Sequence, residues 1–89
     1  MGIESQIRFA APDAAGAADI LRRFPEAVEQ PDGFDFRARP DPEDWPDATA
    51  SVDADGIYFC DYLGGAGRRL LGELVAALAG YGPVTVEEL

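Results

Sequence analysis

The functional groups this chain has in quantity are carboxylates. It carries 17 Asp and Glu against seven Arg, one cysteine (Cys60) and no histidine, for a net charge of −10. Without imidazole the chain lacks the commonest general base at neutral pH, the commonest metal ligand, and any Ser-His or Cys-His nucleophile pair. A lone mid-strand thiol with no base beside it behaves as a small hydrophobe. No nucleophile or desolvated carboxylate pair is marked out either. The expectation is therefore a protein that is not an enzyme, with no catalytic residues, no metal site and no cofactor.

The carboxylates are unevenly placed. Residues 40–67 hold seven of them and no base: Asp41, Glu43, Asp44, Asp47, Asp53, Asp55 and Asp61. The only tryptophan, Trp45, sits in the middle of the densest run, Pro-Asp-Pro-Glu-Asp-Trp-Pro-Asp (40–47). Tryptophan brings a large apolar body that folding usually buries, or that a partner buries at a binding hot spot. Two readings follow. Trp45 covers its own core or sheet edge, or it is the apolar anchor of an interface whose acidic surroundings steer in a basic partner. The prolines restrict this loop before binding, which lowers the cost of ordering it.

Several short patterns have ordinary explanations. Asp53-Ala-Asp-Gly56 contains part of a calcium-loop pattern but lacks the remaining ligands, and reads as a hairpin turn. Gly64-Gly-Ala-Gly67 before Arg68 and Arg69 has neither phosphate-loop nor dinucleotide spacing, and reads as a glycine turn into a helix. The stretch 55–62 shares glycine and aromatic positions with the third strand of RNA-recognition motifs. However, Asp55 stands where that motif has a basic residue, and the net charge has the wrong sign for nucleic acid.

The elements that hold these residues follow from periodicity. Ile7 and Phe9 alternate with Gln6 and Arg8, as in a strand. Asp13 is placed to cap a helix with Ile20, Leu21 and Phe24 on one side, stopped before Pro25. A short strand is expected over 26–30, followed by a Pro-Asp-Gly turn. In the next strand Phe34, Phe36 and Ala38 face in, and Asp35, Arg37 and Arg39 face out. A hairpin spans 49–63 with its bend at Gly56. Its second strand is apolar on both faces, with Ile57, Phe59 and Leu63 on one and Tyr58, Cys60 and Tyr62 on the other. A helix begins near Ala66, with Leu70, Leu71, Leu74, Val75 and Leu78 in one stripe, and ends at Gly80 and Gly82. Residues 84–89 form a closing strand.

At 89 residues the chain is expected to form one domain, 1–89. The order of elements predicts an α+β sandwich, ferredoxin-like or related, with a mostly antiparallel sheet of four to six strands and both helices on one face. No apolar run is long enough to span a bilayer and no secretory signal is legible, so a cytoplasmic protein is expected. Charge and the absence of catalytic residues together favour a small acidic protein-binding module. In its most concrete form it is an inhibitor, an immunity protein or antitoxin of the nucleic-acid-mimic type, acting on a basic nuclease-like or nucleic-acid-binding partner in a bacterial cell. It would contact neither nucleic acid nor membrane directly. Its expected partner-binding residues are Asp41, Glu43, Asp44, Trp45, Asp47, Asp53, Asp55, Tyr58 and Tyr62. The alternative is a homodimeric ferredoxin-like regulatory or small-ligand-binding domain, paired through the two-sided apolar strand. Monomer and homodimer are both open.

Overall fold

The computed structural model describes residues 2–38, 45–63 and 65–89. The chain runs β1 (Ile3–Phe9), α1 (Ala14–Arg22), β2 (Ala27–Gln30), β3 (Gly33–Phe36), β4 (Ala48–Asp53), β5 (Gly56–Asp61), α2 (Gly67–Ala79) and β6 (Val84–Glu88). The six strands form one open antiparallel sheet in the order β2-β3-β4-β5-β1-β6. Strands β6-β1-β5-β4 with the two helices have the arrangement of a ferredoxin-like sandwich, and the β2–β3 hairpin widens it by two strands.

Alternation decides which face the helices cover. Ile7 pairs with Ile57, Ser5 with Phe59, Ala50 with Phe59 and Phe34 with Ala50, so these side chains share one face. Ile7, Ile57 and Phe59 are fully buried there, together with Phe36, Leu21, Leu70, Leu74 and Leu78. Leu70, Leu74 and Leu78 recur every four residues, which keeps them on the sheet-facing side of α2. Phe36 meets Phe24 edge-on at 5.6 Å and Phe59 at 6.2 Å, joining the β3 side of the core to its centre. α1 is capped as its sequence predicts: Asp13 Oδ1 accepts the Gly16 N–H at 2.8 Å.

Two departures from simple alternation have local causes. Ala38 is exposed rather than inward, because β3 ends at Phe36. Leu63 does not join Ile57 and Phe59 in the core. β5 ends at Asp61, whose Oδ1 accepts the Leu63 N–H at 2.8 Å, and Leu63 turns into the left-handed region at φ 64° with its side chain exposed. The core-facing position next along the strand is Asp61 itself, which is buried. Arg39, expected on the outward face, lies outside the described residues.

Candidate interaction face

The sheet face away from the helices carries the alternate residues. From β1 these are Glu4, Gln6 and Arg8; from β5, Tyr58 and Cys60; from β4, Thr49, Ser51 and Asp53; from β3, Asp35. Tyr62 continues the β5 row beyond the strand end. Of the two aromatic sets in the second hairpin strand, Phe59 therefore belongs to the core and Tyr58 and Tyr62 to the open face.

Trp45 is 83% exposed, so it is not the lid of its own core. Its ring lies 5.9 Å from that of Tyr62, tilted by 42°. Asp47, two residues on, fixes the segment from which it projects. The Asp47 N–H donates to the Phe36 carbonyl at 2.8 Å, its carbonyl accepts the Tyr62 N–H at 3.1 Å, and its carboxylate accepts the Ala38 N–H at 2.7 Å. One aspartate thus ties together the end of β3, the start of β4 and the end of β5. Asp47 was expected as a partner-binding residue; here one of its carboxylate oxygens already has an internal acceptor's role.

Tyr58 lies further along β5, where its hydroxyl donates to Glu4 Oε1. That bond, and then partial burial, push the phenol up to about 12. Between Tyr58, Tyr62 and the β3–β4 strands runs a groove of about 280 Å³ lined by Asp32, Asp35, Thr49 and Ser51. Asp35 also pairs with Arg37 at 3.5 Å. Asp53 and Asp55 stand at the opposite end of β4 from Trp45. Asp53 Oδ1 accepts from Gln6 Nε2 at 3.2 Å and from the Asp55 N–H at 2.9 Å, the bonding of a side-chain-stabilised turn. The nine sequence-derived residues therefore divide. Trp45, Asp47 and Tyr62 are brought together, Tyr58 lies in the same row, and Asp53 and Asp55 mark the far end. Asp41, Glu43 and Asp44 lie outside the described residues.

Glu4, Asp32 and Asp35 join this face without having been singled out as binding residues. Asp35 could be placed by alternation. Glu4 could not, because its position beside Tyr58 depends on the β1–β5 register.

Cys60 is buried, and burial raises its thiol above the ordinary range, against a smaller opposing effect from a hydrogen bond with Tyr62. It is held as a thiol, as a packed residue would be. A side chain at Gly2 would come within 3.0 Å of its sulfur, so the backbone there covers it closely.

The helical layer has a different electrostatic character. Arg22 pairs with Asp19 at 2.5 Å and Glu29 at 3.0 Å, and Arg69 with Glu26 at 2.7 Å and Glu73 at 3.0 Å. Hydrogen bonding to these guanidiniums lowers the Glu26 and Glu29 carboxyls below their ordinary range. The larger and more apolar cavity, about 410 Å³, opens on this layer between Ile20, Phe24, Ala77 and Tyr81. Two opposite charges, Arg23 and Glu73, also line it.

Among the described residues no group of His, Cys, Asp and Glu has the arrangement of a metal site, and no helix is long and apolar enough to cross a membrane. Every buried side-chain nitrogen and oxygen described has a hydrogen-bond partner. Comparison with protein-family models, with curated proteins and with solved structures finds no match to this chain.

Proposed function

We propose that this chain is a small acidic protein-binding module that uses the open sheet face to hold a basic partner. The observation that carries the reading is Trp45, 83% exposed beside Tyr62 on a face bordered by Glu4, Asp35, Asp47 and Asp53. An exposed indole with a neighbouring phenol is the composition of a hot spot, where burial of one aromatic is worth about 2 kcal/mol or more. The net charge of −10 supplies the long-range attraction, and steering of this kind raises association rates roughly 10- to 1,000-fold at low salt.

In its specific form the proposal is an inhibitor of the immunity-protein or antitoxin kind. It occupies the cationic cleft of a nuclease-like or nucleic-acid-binding protein, and its carboxylates stand where substrate phosphates would. It performs no catalysis of its own and acts in the cytoplasm. Face-to-face pairing of two such sheets fits less well, because it would bring the acidic groups of one copy towards those of the other.

The test is an affinity capture from host lysate. The wild type is compared with a variant carrying Trp45→Ala, Asp41→Asn, Glu43→Gln and Asp44→Asn. Asp47 is left intact because it anchors the loop. A basic protein retained by the wild type and lost by the variant supports the proposal. Recovery of the same proteins by both baits overturns it.

A further inference from the structure

The two edges of the sheet are unequal. β2 has four residues, Pro31 follows it at once, and its Glu29 is held by Arg22. Short length, proline and charge are the usual protections of a sheet edge. β6 is longer, five residues in regular register with β1; Pro83 precedes it and Glu87 and Glu88 lie within it, with no ion pair to either among the described residues. The Leu89 N–H donates to the Glu4 carbonyl at 2.8 Å. By alternation Thr85 and Glu87 also direct their backbone groups at β1, leaving those of Val84, Val86 and Glu88 aimed outward. On the helix-covered face Val86 is 42% exposed beside this outward ladder.

We propose that β6 is the pairing edge of a homodimer, with a second copy of this chain added antiparallel across a two-fold axis at Val86. This interaction is independent of the binding proposed for the open face. The register centred on Val86 pairs all five residues of β6. It sets Val86 against its own copy, Val84 against the partner copy's Glu88, and Thr85 against the partner copy's Glu87, so no like charges stand directly opposite.

The open face adds charge complementarity. Arg8 lies beside Thr85 in the cross-strand row and has no ion pair among the described residues. The partner copy's Glu87 continues that row, about 9.6 Å away or two strand spacings, a span that long arginine and glutamate side chains can bridge. Each copy contributes one such pair.

A stable interface buries about 1,200 Å² or more in total, which a five-residue ladder alone does not supply. The flank of α2 turned from α1 provides further surface. Arg69 and Glu73 mark the α1 side through their bond to each other and the Arg69–Glu26 pair. At 100° per residue the opposite flank carries Leu71, Val75 and Ala79, with the exposed Arg68 among them at its N-terminal end. Pairing across β6 leaves both open faces free and on the same side of a twelve-stranded sheet.

Sedimentation equilibrium over a range of concentrations tests this. The wild type is expected to show a concentration-dependent dimer. Val86→Lys should remove it while leaving the thermal unfolding midpoint nearly unchanged, and Arg8→Glu should weaken it several-fold. The charge-swapped double variant, Arg8→Glu with Glu87→Arg, should restore it. Restoration by the swap separates a contact between copies from mere loss of fold. A wild type that stays monomeric throughout overturns the proposal. So does a dimer that survives Val86→Lys, or one that Arg8→Glu weakens without rescue by the swap.

Discussion

Gly67 is the first residue of α2, and its hydrogen stands in for a side chain the site cannot accept. A Cβ there would lie 2.0 Å from Asp61 Oδ1 and 2.5 Å from its Cγ. In an open helix, Gly→Ala stabilises by about 1 kcal/mol through backbone entropy. Here the carboxylate must move away, losing its 2.8 Å bond from the Leu63 N–H. A hydrogen bond to a charged group contributes about 1.5–3 kcal/mol. The second term exceeds the first, so Gly67→Ala should destabilise by about 0.5–2 kcal/mol, which lowers the midpoint by roughly 2–16 °C for a domain of this size. Asp61→Ala alone loses the same bond and the anion near the start of α2. Asp61→Ala removes the two closest contacts and leaves the residue's own Cβ 3.1 Å from the new methyl, so Gly67→Ala should cost much less in the Asp61→Ala background than in the wild type. Urea unfolding of the four proteins completes the cycle. Additive losses, or a stabilising Gly67→Ala, would refute the claim that Gly67 is glycine because of Asp61.

Two further perturbations address the open face and the hairpin behind it. Ultraviolet difference titration should find one tyrosine ionising near pH 12, and Glu4→Gln should bring that transition down towards pH 10. The sign follows from the raised phenol: the Tyr58–Glu4 bond contributes fully below the unfolded value near 10 and is lost as pH rises through the folded one. Gly56 has φ 138°, and a Cβ would sit 2.0 Å from the Ile7 carbonyl oxygen. Gly56→Ala should therefore cost more than about 2 kcal/mol in urea unfolding, since both backbone strain and a backbone clash oppose it.

Much of the architecture is legible in the residues themselves. Ile7 and Phe9 alternate, Asp13 caps, Leu70, Leu74 and Leu78 recur, and Asp-Gly turns where β4 meets β5. The second hairpin strand was ambiguous because both of its faces are apolar. What separates them is the phenol oxygen: Tyr58 needs a polar partner, which the open face supplies in Glu4. Leu63 misled for a different reason. An apolar residue in step with Ile57 and Phe59 looks like core, but the buried Asp61 between them ends the strand by capping the next turn. The Gly-rich stretch before α2 read as turn chemistry alone, and only the packed structure shows that Gly67 is a close approach to a carboxylate. The interaction face was partly legible. The cluster of Trp45 with acids is written in one segment, whereas the addition of Tyr62, Glu4 and Asp32 depends on how strands pair.

Trp45 is the only tryptophan, so its fluorescence reports on the proposed anchor without labelling. The measurement that tests the account most directly is a titration of the protein with the basic partner recovered by affinity capture, following this emission at two salt concentrations and repeating the binding with Trp45→Ala by calorimetry. The account predicts solvent-exposed emission in the free protein and a blue shift on binding. It also predicts weaker binding at higher salt and a loss of about 2 kcal/mol or more with Trp45→Ala. Unchanged emission together with full affinity in the alanine variant would show that the partner binds elsewhere, and the claim for the open face would fall.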